Sequence, residues 1–296
     1  MPDAHEILQL AYVRIGVADL AWWRGFGDVV GFAPGAGPVE VLHWRTDSER
    51  DWRIAVETSP RVGVHTIGWE TAGAPALAAV RRRLEAHGAR LPPVTRAEKD
   101  ARQVEDMLVA LDPDGLRNEI FWGANCALRK PFASPTGTRF ASGACGNGHV
   151  TVNVGDAAAT LAFYTGALGL RLSDAAWMEG HARVYFLRCN ARHHSFAFAQ
   201  MPRPVGTVHV MSDLADLDQL GSVRDRLLDA GYVLNRDLGS HPLDGVVSLY
   251  VATPEGYDFE LACGTRLINE ESWEADKFSR TGIAWGHRKP APRNAG

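Results

Sequence analysis

The sequence predicts an α+β protein of four βαβββ modules. They pair into two domains, each a curved, mostly antiparallel sheet backed by helices. Three observations lead there: strand–helix units recur in matched pairs, the closing segments of those units also match, and an aperiodic stretch separates the pairs. A single unit of this kind leaves one sheet face bare, so two must curl together to share a core.

The first pair of matching units is AYVRIGVADLAWWRGFGDVVGF (11–32) and GHVTVNVGDAAATLAFYTGALGL (148–170). Each alternates apolar and polar residues as a half-buried strand does, turns at an Asp (Asp19, Asp156), and continues as an amphipathic helix ending near Gly. The second pair is VHTIGWETAGAPALAAVRRRLEAHGARL (64–91) and VHVMSDLADLDQLGSVRDRLLDAGYVL (208–234). Both open as strands with Val-His, then run as helices rich in Leu, Val and Arg. Their partners' ends, DPDGLRNEIFWG (112–123) and TPEGYDFELACG (253–264), share a Pro-x-Gly turn followed by an apolar strand. Between the halves, residues 129–148 are rich in Gly, Ser, Thr and Pro and read as a linker. The expected domains are therefore residues 1–135 and 136–296.

Composition narrows the function. A net charge of −4 offers no basic stripe for nucleic acid, and Arg81-Arg82-Arg83 reads as a solvated helix face. No apolar run approaches the ~18 residues of a membrane helix, and the N-terminus lacks the pattern of an export signal. Cys126, Cys145, Cys189 and Cys263 are scattered without a CxxC pair, which suits a reducing compartment and argues against a thiolate metal site. A cytoplasmic chain without membrane or nucleic-acid partners is expected.

The chemistry concentrates in the second half. In GHVTVNV, Val150, Val152 and Val154 point one way, and His149, Thr151 and Asn153 the other. His209 sits likewise against Val208 and Val210, and Glu260 against Tyr257, Phe259 and Leu261. Pseudo-two-fold pairing of the modules brings the first strands together at the centre of a cup, with Glu260 arriving from the closing strand. Taken singly, each of these is an ordinary polar residue. Two imidazoles and a carboxylate converging form the facial triad of non-haem Fe(II) oxygenases, which leaves coordination positions open. The first half carries Tyr12, His65 and Glu119 at the matching places, and a phenol is a poor substitute for imidazole. That half is expected to bind no metal.

Further residues surround this set. RHHSFAFA carries adjacent His193 and His194, expected on opposite faces; Gly239-x-His241 is followed by Tyr250, Thr253-Pro254-x-Gly256 and Glu260; WGH stands at 285–287. Together these resemble the type I extradiol ring-cleavage dioxygenases of the vicinal oxygen chelate superfamily, specifically the two-domain 2,3-dihydroxybiphenyl and 1,2-dihydroxynaphthalene group. The resemblance implies the vicinal oxygen chelate fold and O₂ insertion into a bicyclic or biaryl catechol in aromatic-compound degradation. It implies Fe(II), with Mn(II) the other metal such a site accepts, held by His149, His209 and Glu260. His194, His241 and Tyr250 become the implied catalytic residues. Asp244, Phe186 and Leu243 join His241 and Tyr250 against the substrate, and Trp177 and Met178 suggest an apolar pocket by analogy. Homo-oligomers are implied as well. Leu243 stands where a polar residue is expected, and Thr151 where an apolar one is. Two other readings share the fold, a metal-dependent glyoxalase-like isomerase or lyase and a metal-free aromatic-binding protein. The His194, His241 and Tyr250 set argues against the first, and the intact triad against the second.

Overall fold

The computed structural model describes residues 6–124, 131–178, 182–276 and 282–290. The first unit comprises β1 (Ile7–Val17), α1 (Leu20–Val30), β2 (Ala33–Pro34), β3 (Val41–Arg45) and β4 (Ile54–Thr58). The second comprises β5 (Gly63–Thr71), α2 (Ala74–Ala86), α3 (Arg96–Arg102), β6 (Val104–Leu111) and β7 (Arg117–Ala124). One expected strand of this unit is reduced to a bridge between Arg90 and Leu111. The third runs β8 (His149–Asn153), α4 (Ala157–Leu161) prolonged by a π-helical turn (Ala162–Ala167), β9 (Arg171–Trp177), β10 (Arg183–Arg188) and β11 (Phe196–Ala199). The fourth runs β12 (Gly206–Leu214), α5 (Leu217–Asp229), β13 (Leu234–Ser240), β14 (Val247–Ala252) and β15 (Asp258–Cys263), with a short β16 (Trp285–Gly286) after it.

The strands form two sheets, β2-β3-β4-β1-β5-β7-β6 and β16-β13-β14-β15-β12-β8-β11-β10-β9. In each, the opening strands of two units lie side by side and antiparallel, β1 with β5 and β8 with β12. Most other pairs are antiparallel too. Each unit nevertheless closes with a parallel pair (β1–β4, β5–β7, β8–β11, β12–β15), because its last strand returns beside its first. That return carries Glu260 to the opening strand of its own unit.

Asp19 and Asp156 cap α1 and α4 as their positions suggest, accepting from backbone N–H groups that have no partner inside the helix. The helices of the two halves pack on one another, α1 on α5 and α2 on the π-helical turn. Across both contacts an arginine caps the neighbouring helix: Arg226 of α5 donates to the carbonyls of Val29 and Val30, and Arg83 of α2 to those of Ala167 and Leu168. Trp23, Phe26, Leu77, Val80, Tyr164, Phe196, Val223 and Phe259 belong to one apolar core continuous through both halves.

The described part of the expected linker does not run free. Ser134 and Thr138 hydroxyls donate to the carbonyls of Gly31 and Val30 at the end of α1, and Phe140 stacks on Phe32 at 5.1 Å. The Ser/Thr composition that signals a loop also supplies the hydroxyls that satisfy a helix terminus. Residues 125–130, Cys126 among them, lie outside the described residues.

Candidate metal centre

The centre starts from backbone register. At Gly148 (φ +33°) a Cβ would lie 1.9 Å from the Met211 carbonyl oxygen, so glycine alone lets the start of β8 sit this close to β12. His149 then pairs with Met211, and Thr151 with His209. A bulge in β12 between Thr207 and His209 sets this register. On the other side of β12, Met211 pairs with Glu260.

The consequence is convergence. The Nε2 atoms of His149 and His209 are 2.9 Å apart, and Glu260 Oε2 lies 3.2 Å from the first and 3.3 Å from the second. Thr151 Oγ1 is 2.9 Å from His209 Nε2, so the departure noted at this position places a hydroxyl beside the candidate ligand. Burial pushes the His209 imidazolium down to about 3, so the ring is neutral at pH 7. Burial alone would raise the Glu260 carboxyl; the hydrogen bond from His149 and the nearby His209 overcome it and hold the group ionised, well below the usual carboxylate range. Two imidazole nitrogens this close need a proton or a cation between them. The donor set, two nitrogens and one carboxylate oxygen within 4.8 Å of one another, fits a divalent first-row metal with coordination positions left open.

The other expected residues gather around it in two groups. His194 packs against His149 with centroids 4.1 Å apart and the rings tilted by 34°, and Phe186 meets the His194 ring edge-on at 5.0 Å. Burial, then the nearby His149 and His193, push the His194 imidazolium well below its ordinary range. The expectation of opposite faces for His193 and His194 needs correction. Their Nδ1 atoms lie 3.1 Å apart, because both residues precede β11 and are not held in strand geometry. On the other flank, Tyr250 and His241 meet through the phenol oxygen and Nε2 at 2.9 Å, and His241 Nδ1 is 3.3 Å from the Gly282 carbonyl. Burial and Glu260 keep the Tyr250 phenol protonated. Asp244 is buried, and that burial raises its carboxyl while His241 opposes the rise. Leu243 is half-buried; Met178 and Phe186 pack against Val184, Ala197 and Ala199, whereas Trp177 is exposed.

Two neighbours had weak or no signal in the sequence. His287, in the WGH segment, stacks on His241 at 4.5 Å because β16 pairs with β13. Asp174 on β9 accepts from His193 Nε2 at 2.7 Å, a contact between segments that periodicity alone cannot align.

The first half is built differently at the matching place. Tyr12 donates to Glu119 Oε2 at 2.5 Å; Arg102 at the end of α3 grips the same carboxylate through two hydrogen bonds (2.8 and 3.0 Å), and Arg117 adds a third (2.8 Å). Register also changes one correspondence. β1 pairs Tyr12 with Gly68 and Arg14 with Thr66, so Thr66, not His65, lies where His209 lies in the second half. His65 falls at a bulge and turns to Glu57 (3.0 Å).

Comparison with known proteins agrees with this architecture. The profile of the Glyoxalase/Bleomycin resistance protein/Dioxygenase superfamily matches residues 146–261, and that of the dihydroxybiphenyl dioxygenase BphC D1 domain matches residues 10–58. An iron-dependent extradiol dioxygenase of Rhodococcus jostii is 35% identical over 95% of this chain and 97% of its own. A 3-methylcatechol 2,3-dioxygenase of Pseudomonas putida is 36% identical (97% and 99%), and a biphenyl-2,3-diol 1,2-dioxygenase of Paraburkholderia xenovorans 35% identical (98% and 99%). Among solved structures, a halotolerant catechol dioxygenase superposes with a TM-score of 0.85 at 27% identity, covering 98% of this chain and 97% of its own.

Proposed function

Because this chain belongs to the extradiol dioxygenases of the vicinal oxygen chelate superfamily, we propose that it opens a catechol ring beside the diol with O₂, at Fe(II) held by His149, His209 and Glu260. The observation that carries the ligand assignment is the meeting of two Nε2 atoms and one Oε2 within 3.3 Å in a buried cup. Bound there, Fe(II) supplies open positions and a spin-permitted route between catecholate and O₂.

The chain's own residues do the rest. His241 and Tyr250 form a hydrogen-bonded pair that orients the ring from one side, and the phenol there stays protonated. His194, kept neutral by burial, moves protons on the opposite side. Phe186 walls the pocket and Asp244 and Leu243 close it near His241. The substrate we favour carries an apolar substituent next to the diol, as a biaryl or bicyclic catechol does. Two relatives are named for 3-methylcatechol and biphenyl-2,3-diol, which share that feature. The same reading places the chain in the cytoplasm as a homo-oligomer, and light scattering that finds a monomer at all concentrations would count against the latter.

The test is anaerobic loading with Fe(II), addition of catechol, 3-methylcatechol, 2,3-dihydroxybiphenyl or 1,2-dihydroxynaphthalene, then air. A yellow product with matching O₂ uptake is expected, with kcat/KM highest for a biaryl or bicyclic substrate. No product from any of the four would sink the activity, and a preference for unsubstituted catechol would sink the substrate assignment. His149→Ala should lose the metal, and full occupancy in that variant would refute the ligand set. His194→Ala should keep metal and catechol yet turn over at least ~100-fold more slowly, the size of a lost proton-transfer residue.

A further inference from the structure

Behind His194 stands a chain of buried polar groups that the reading above leaves without a role. Asp174 and His193 are both almost wholly buried, and both oxygens of the carboxylate are engaged. Oδ2 lies 2.7 Å from His193 Nε2, and Oδ1 accepts from the backbone N–H of Asp276 at 2.6 Å. His193 is fixed from other sides too. Its N–H donates to the Arg266 carbonyl, its own carbonyl accepts from Ser173 Oγ, and Trp273 meets its ring edge-on at 5.8 Å. Its remaining nitrogen, Nδ1, faces His194 Nδ1 at 3.1 Å with the two rings nearly perpendicular (88°).

Hydrogen-bond polarity can be followed along this chain. An ionised carboxylate only accepts, so His193 Nε2 carries a proton. If that is the ring's one proton, His193 has its lone pair on Nδ1. Two ring nitrogens at 3.1 Å need one proton between them, and it must come from His194 Nδ1. His194 is left with its lone pair on Nε2, the edge of the ring away from His193. A carboxylate fixes the tautomer of a catalytic imidazole by the same logic in serine-protease triads, where an amide in its place lowers kcat by about 10⁴.

We propose that Asp174 and His193 are a positioning dyad that holds His194 as its Nδ1–H tautomer, so that the ring presents an accepting rather than a donating nitrogen on its other edge. The proposal rests on the assignment of His194 as a proton-transfer residue. It requires no change of charge at Asp174 or His193; the fixed direction of two hydrogen bonds is sufficient.

Asp174→Asn tests it with little change of shape. The amide oxygen still accepts from the Asp276 N–H, while the amide nitrogen now donates to His193 Nε2. Every proton in the chain reverses, and His194 becomes the Nε2–H tautomer. Ring-¹⁵N spectra of the metal-free protein should therefore show His194 as Nδ1–H in the parent and Nε2–H in D174N. The metal-loaded variant should bind catechol anaerobically within about 3-fold of the parent, while kcat falls at least 10-fold. A merely structural role would move the melting temperature and leave the tautomer alone. If D174N does not fold, the parent spectrum still decides, since an Nε2–H His194 there overturns the proposal. A slow His194→Ala beside a D174N with parental kcat overturns the dyad alone; a His194→Ala with parental turnover overturns the assignment on which it rests.

Discussion

Arg102→Met removes the guanidinium that stands in the first half where a cation would stand in the second. Arg102 makes two charge-assisted hydrogen bonds to the fully buried Glu119 carboxylate, and it is the strongest of the influences that lower that carboxyl. Burial alone would raise Glu119; Arg102, Tyr12 and Arg117 together hold it at about 2 against an ordinary 4.5. Held there, the carboxylate contributes about 3 kcal/mol above pH 4.5, and this is lost as pH falls towards 2. Removing one partner of a buried ion pair costs about 3–5 kcal/mol when nothing else compensates. Tyr12 and Arg117 remain, so about 2 kcal/mol is the expected loss for Arg102→Met at pH 7. The assay is urea denaturation of the parent, R102M, E119Q and the double variant, followed by fluorescence and circular dichroism together to check for a single transition. In the E119Q background the cost of R102M should fall below about 1 kcal/mol, because no buried charge is left unpaired. Below pH 4.5 the R102M deficit should shrink as the carboxyl takes up a proton. An equal cost of R102M in both backgrounds would refute the argument.

Other outcomes follow from register and burial. Tyr12→His should leave metal stoichiometry at one per chain by elemental analysis, since Thr66 occupies the second ligand place and Arg102 already holds Glu119; two metals per chain would refute this. Gly148→Ala forces a Cβ against the Met211 carbonyl and should weaken Mn(II) binding, measured by calorimetry, at least 10-fold; unchanged affinity would show that the close approach does not set the site. The folded chain holds His209 at about 3 against an ordinary 6.5, so its contribution to stability is present above pH 6.5 and fades as pH falls towards 3. The urea midpoint of the metal-free protein should therefore drop between pH 7 and pH 5, less so in His209→Gln, and a midpoint that rises over that range would contradict the assignment.

What could be read in the sequence was what strand alternation and repetition encode. His149, His209 and Glu260 each lie opposite an apolar face of their own strand, so their shared orientation needed no tertiary information. Residues placed by irregular register were another matter. Strand pairing makes Thr66 the counterpart of His209, with the bulge at the equivalent place in both halves (His65 and Val208), and such a one-residue offset is invisible in matched segments that both begin with Val-His. Asp174 and Arg102 reach their partners across 19 and 17 positions through strand pairing and a helix end, with no spacing rule to link them. The segment 131–148 is irregular as its polar composition suggests, but composition says loop whether or not the hydroxyls are used.

The duplicated halves pose the same electrostatic problem and answer it with different groups. In each, a glutamate on the closing strand lies buried beside the opening strand, and a buried carboxylate has to be met by positive charge or hydrogen bonds. In the second half the partners are imidazoles that can also turn their lone pairs to a metal. In the first half Arg102, Arg117 and Tyr12 all donate to Glu119, and a guanidinium has no lone pair to offer a cation. The first half is still required by the fold, because α1 and α2 pack on α5 and the π-helical turn, and the arginine caps run in both directions. A guanidinium in the first cup therefore meets the buried charge that imidazoles meet in the second, and the shared core rests on both halves.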